Sequence, residues 1–94
     1  MIDTALIVEA PLETRMRWYA DFNSWRIPED FPGDMADVAH LDGHAKFKDP
    51  KWQAAWNALT ESMTGAEMSL GWWLHALNRT EEEWAAWWVN GRRL

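Results

Sequence analysis

The 94-residue sequence contains no cysteine. That excludes disulfides, thiolate nucleophiles and cysteine-based metal centres. Long apolar runs are missing too. The opening "MIDTALIVEAPLE" has only the four apolar residues Ala5 to Val8, with no basic residue before them, and does not read as a secretory signal. Nothing approaches the roughly 18 consecutive apolar residues of a membrane span. Positive charge is scarce: nine Lys and Arg stand against fifteen Asp and Glu, for a formal net charge of −6. Non-specific binding to nucleic acid or to an anionic membrane needs clustered cations, so both are disfavoured. A basic protein is the expected partner and the cytoplasm the expected compartment. Catalytic signatures are lacking as well. Ser24, Ser62 and Ser69 have no nucleophile-elbow context and no glycine loop cradles phosphate. The chain is therefore expected to be no enzyme and to use no cofactor.

Bulky aromatics, by contrast, are abundant: nine Trp, three Phe and one Tyr. The length fits one domain spanning 1–94. A chain this size buries roughly 60–65% of the surface that it exposes when unfolded. Nine indoles exceed what so small a core conceals, and exposed aromatics favour contact surfaces.

The periodicity is helical. Leu12, Met16, Tyr19 and Phe22 recur at three- and four-residue intervals after Pro11, predicting a helix over about 11–25 that stops before Pro28. For residues 3–9, strand and helix remain equal alternatives. Pro28, Pro32, Gly33 and Gly43 punctuate 26–49, which reads as loop around a short helix at about 34–42. Asp49 and Pro50 start a helix whose stripe is Trp52, Ala55, Trp56, Leu59 and Met63. Thr64 with Glu67, and Thr80 with Glu83, form two capping boxes. The first opens a helix at about 65–77 that is apolar nearly all round, apart from a narrow stripe of Glu67, Gly71, His75 and Asn78. That pattern predicts a central helix. The second opens a helix with Trp84, Trp87 and Trp88 on one face, Gly91 as its C-terminal cap and Arg92 and Arg93 at its negative end. The expected fold is all-α: a small bundle of four or five short helices around the helix at 65–77.

Residues 70–94, "LGWWLHALNRTEEEWAAWWVNGRRL", resemble the helix-turn-helix of Cro-type repressors. The resemblance implies a degenerate DNA-binding regulator using 70–93, with Thr80 opening the recognition helix. The sequence departs from the pattern at Leu74 and Arg79. Glu81, Glu82 and Glu83 would also bring negative charge to the end that enters the major groove.

The acidic stretch from Glu29 to Asp42 is the leading candidate site. It holds Glu29, Asp30, Asp34, Asp37 and Asp42 with no Lys or Arg among them. On a helix Asp30, Asp34 and Asp37 would share a face. With Trp18 and Trp25 as aromatic anchors, such a face would steer and hold a basic partner. In size and charge the chain resembles small acidic phage and mobile-element proteins, anti-CRISPR proteins and DNA mimics among them. That implies an inhibitor of a nucleic-acid-binding complex. A third reading is a self-associating protein whose surplus tryptophans meet at a homodimer interface. His40 and His44 have an i, i+4 metal-ligand spacing, but Gly43 between them is read as a helix stop and no third ligand is near, so no metal site is assigned.

Overall fold

A computed structural model of the chain describes residues 3–90. The described residues are all-α, without strands, and form seven helices. Helix α1 is Thr4–Glu9, α2 Leu12–Asn23, α3 Ala36–Ala39, α4 Gly43–Lys48, α5 Pro50–Glu61, α6 Gly65–Gly71 and α7 Glu81–Asn90. Helix α6 runs directly into a π-helical turn, Trp72–Ala76. There are thus more and shorter helices than the expected four or five. Arg92 and Arg93, and Gly91 as a cap, lie outside the described residues.

Local chemistry sets most boundaries. The open choice at 3–9 resolves as helix. The Asp3 carboxylate accepts from the Ala5 and Leu6 amides at 3.1 and 3.3 Å, and the helix ends before Pro11. Asp49 caps α5 with Pro50 in its first turn. Both capping boxes form. Thr64 Oγ1 accepts from Glu67 N while Glu67 Oε1 accepts from Thr64 N, and Thr80 and Glu83 repeat the exchange.

Two expectations fail for identifiable reasons. Gly43 does not stop a helix; it is the first residue of α4, because Asp42 accepts from Ala45 N and caps a new start there. The short helix foreseen at 34–42 shrinks to the single turn of α3.

The core lies between α1, α2, α3 and α5, where Ile7, Phe22, Val38 and Leu59 have no appreciable exposure. Burial of side chains of this size stabilises by about 1.5–3 kcal/mol each. The helix at 65–77 exists but is not the centre. From Ala66 to Ala76 only Gly71 is buried, and the rest are half-buried. Helix α2 is the hub, packing against α5 on one side and against α6 and the π turn on the other. The closest approach of α6 to α2 is made at Gly71, on the narrow stripe, while Met68 and Leu70 pack partly buried against the core. A Cβ on Gly71 would lie 2.9 Å from both Met16 Cβ and Met16 O. Only glycine admits so close a backbone approach to α2. Next along this stripe, His75 has a buried Nε2 with no hydrogen-bond partner. Trp72, Trp73 and Leu74 remain half-exposed. No helix among the described residues is long and apolar enough to cross a membrane.

Candidate functional site

The acidic stretch does not form one face. Residues 30–35 are turn and loop, with Phe31 and Met35 buried. Asp30, Asp34 and Asp37 therefore lack the helical register that would align them. Asp30 is held by both terminal nitrogens of Arg17 and by the Trp18 indole N–H at 3.0 Å. These donors, Arg17 first, lower its pKa to about 2. Asp37 pairs with Lys51 at 2.8 Å, a contact that lowers the carboxyl pKa and raises that of the ammonium. Asp34 accepts from Ala36 N and Asp42 from Ala45 N. Glu29 is exposed, and no hydrogen bond or ion pair of its side chain is found among the described residues. Four of the five carboxylates are thus engaged within the chain.

The two proposed anchors part company. Trp18 is only 4% exposed; its ring meets Phe31 edge-on at 5.1 Å. It is a core residue, which removes it from any docking surface. Trp25 is 42% exposed. It sits just past the end of α2 at φ 61°, where L-residues pay a steric cost. Arg26 N donates to Asp21 O and Trp25 N to Phe22 O, which is the Schellman arrangement with tryptophan where glycine is usual. Packing holds it there. Trp25 stacks on Trp52 at 5.2 Å, Trp52 on Trp56 at 5.4 Å, and Trp56 on Tyr19 at 5.4 Å. The exposed ring of Phe47 closes this column edge-on to Trp25. Behind the column, the Gly43 position lies against the Trp25 ring.

One cation reaches this column, and two more are its neighbours in sequence. Four Lys or Arg among the described residues make no ion pair: Arg15, Arg26, Lys46 and Lys48. Arg15 is spent internally, donating to Ala10 O and Ser62 O at 2.8 Å each beside an open groove of about 730 Å³ between α1 and α5. The other three are adjacent in sequence to Trp25 or Phe47, and Lys46 Nζ donates to Trp25 O at 3.0 Å. An exposed aromatic pair, Trp25 and Phe47, thus stands with the Lys46 ammonium at its edge.

A second aromatic cluster lies on α7. Trp73 meets Trp87 at 5.3 Å, Trp84 stacks on Trp88 at 5.5 Å, and Trp87 meets Trp88 at 6.0 Å. The Arg79 guanidinium lies 5.5 Å over Trp73. One side of the stripe is tethered, since Trp84 Nε1 donates to Ser69 Oγ at 3.0 Å. Even so, α7 has no buried residue, and Trp87 is 40% exposed. Glu81, Glu82 and Glu83 are all exposed at its start. Among the described residues only Glu83 of the three makes an ion pair, with Arg79 at 3.2 Å. This acidic first turn is the one that a recognition helix would present to DNA.

His40 ends α3 and His44 stands in the first turn of α4; both are exposed. No group of three or more His, Asp or Glu among the described residues is placed to hold a metal. No family model, curated protein or solved structure matches the chain.

Proposed function

We propose that this chain is a non-enzymatic protein-binding domain that docks a basic partner through the aromatic face of α7, with Trp87 as anchor. One observation carries the reading: a ten-residue helix with three tryptophans buries none of its residues. A desolvated indole at the middle of an interface is the commonest kind of binding hot spot. The exposed Glu81 and Glu82 in the first turn of the same helix, which make no ion pair among the described residues, supply electrostatic steering toward positive charge. The basic groove of a nucleic-acid-handling protein has this chemistry, so inhibition of such a protein stays within the proposal. Its acidic component then comes from α7 and not from 29–42, whose carboxylates are mostly engaged at home.

A photo-crosslinking residue at the exposed position 90, one turn from the Trp87 anchor, tests this in a lysate of the native host. An adduct with a basic protein is expected. It should disappear with Glu81→Lys plus Glu82→Lys and survive Glu29→Lys plus Asp37→Lys. The opposite pattern returns the site to the acidic stretch and overturns the reading.

A further inference from the structure

Four oxidisable rings form one stacked column through the fold. Trp25, at the exposed end, lies on Trp52 at 5.2 Å and 27°. Trp52 lies on Trp56 at 5.4 Å and 10°, and Trp56 on Tyr19 at 5.4 Å and 26°. All three separations are those of offset-stacked aromatic pairs. We propose that this column is a one-electron relay: a radical oxidant that takes an electron from Trp25 leaves a hole that ends on Tyr19. The relay belongs to α2 and α5 and does not depend on what α7 binds.

Ring chemistry sets the route. Two phenyl rings also touch the column: Phe47 meets Trp25 and Trp52 at 6.3 and 6.1 Å, and Phe22 meets Trp52 at 5.9 Å. Phenyl is much harder to oxidise than indole or phenol, so these contacts are dead ends for a hole. Trp52 is 4% exposed, and its Nε1 is buried with no hydrogen-bond partner among the described residues. A buried indole N–H ordinarily has one. An oxidised indole is trapped when it gives up its N–H proton. No acceptor waits at Trp52 Nε1, so a hole there keeps its charge and moves on. Tyr19 is the opposite case. It is the single tyrosine of the chain and is half-buried. Burial holds its phenol above the usual tyrosine pKa, so the ring meets the hole as a neutral O–H. Loss of an electron makes a phenol strongly acidic, and its proton passes to water. The neutral tyrosyl radical left behind is, near neutral pH, more stable than an indole radical. The step balances: the oxidant gains one electron, Tyr19 loses one electron and one proton, and the three indoles return to their starting state. A hydrogen-atom donor of the ascorbate or thiol class then restores the phenol. The exposed Trp25 ring is thereby spared irreversible addition of oxygen.

Pulse radiolysis of the full chain with azide radicals, which oxidise indole faster than phenol near neutral pH, tests the relay. An indole-radical spectrum should appear first and pass in part into a tyrosyl spectrum. The conversion should be first order and independent of protein concentration. A single tyrosine leaves no doubt about the site of the product. Phenylalanine substitutions keep a ring in place but give a hole nowhere to sit, and circular dichroism first confirms that each variant is folded. Trp56→Phe should slow tyrosyl formation at least about tenfold. Trp25→Phe, at the far end of the column from Tyr19, should lower the tyrosyl yield; being at the exposed end, it keeps the test open where Trp56→Phe does not fold. Trp87→Phe, outside the column, should change neither rate nor yield. A conversion whose rate rises in proportion to protein concentration overturns the proposal. So does an unchanged rate in Trp56→Phe, an unchanged yield in Trp25→Phe, or an equal loss in Trp87→Phe.

Discussion

Trp25 combines a steric cost with a packing gain, and two substitutions separate them. Its φ of 61° costs an L-residue about 1–2 kcal/mol relative to glycine. Against that, more than half of the side chain is covered, against Trp52, Phe47 and the backbone at Gly43. Removing roughly 100–150 Å² of mostly apolar area from water at ~25 cal/mol per Å² gives about 3 kcal/mol as an upper bound. Trp25→Ala loses the packing and keeps the strain. Trp25→Gly loses the same packing but relieves the strain, while gaining about 0.4–1 kcal/mol of unfolded-state entropy cost. Both variants should be destabilised by about 2–3 kcal/mol relative to wild type. The glycine variant should nevertheless be the more stable of the two, by up to about 1 kcal/mol, reversing the usual order of alanine and glycine. For a chain this size that corresponds to up to roughly 4–8 °C in Tm. Paired thermal melts by circular dichroism measure it. An alanine variant equal to or more stable than the glycine variant would refute the left-handed Schellman cap.

Two further outcomes follow from the same kind of reasoning. Gly71→Ala forces a methyl to within 2.9 Å of Met16 backbone and Cβ atoms; overpacking of about 1–3 kcal/mol should exceed the ~1 kcal/mol gain in helix propensity, giving net destabilisation by urea titration, and a stabilised variant would mean that α2 and α6 are not in backbone contact. Asp30, with a folded-state pKa of about 2 against about 3.9 for a free carboxyl, contributes stability that is complete above pH 4 and is lost as pH falls toward 2; Asp30→Asn should therefore be less stable than wild type at pH 7 and nearly equal to it at pH 2, and an NMR carboxyl titration centred near 3.9 would show that the Arg17 and Trp18 contacts do not persist.

The legible parts of the fold were those written in consecutive residues. Asp49–Pro50, Thr64 with Glu67, and Thr80 with Glu83 each announce a helix start within four positions, and each cap forms. Gly43 misled because glycine serves both ends of helices, and the deciding residue was its neighbour Asp42 as cap. The orientation of α6 was illegible for a different reason. A nearly all-apolar helix suggests full burial, but α6 makes its closest approach to α2 at Gly71, and its larger apolar residues are left half-buried around that contact. The fate of the acidic stretch depended on partners distant in sequence. Arg17 lies 13 residues from Asp30, and Lys51 lies 14 from Asp37. Charge counting within 29–42 misses both. The surplus of tryptophan was legible, whereas which indoles remain exposed was not: Trp18 is 4% exposed and Trp87 40%, although each meets a neighbouring ring at just over 5 Å.

Helix α7 brings these threads together. Ten residues are too few for a stable helix in water on intrinsic propensity alone. Its capping box and the three glutamates at its positive end contribute a few kcal/mol at most. Further support comes from contact with the π turn, the Trp84–Ser69 hydrogen bond, the Trp73–Trp87 contact and the mutual packing of its own indoles. The cost of ordering three large side chains is met only in part, because none is fully desolvated. An apolar face in that condition gains further free energy from any surface that covers it. Exposed Glu81 and Glu82 in the first turn of the same helix disfavour a surface with its own excess of carboxylates. A helix that buries none of its residues thus has much to gain from a partner, and the π turn it rests on, itself packed against α2, is the platform that presents it.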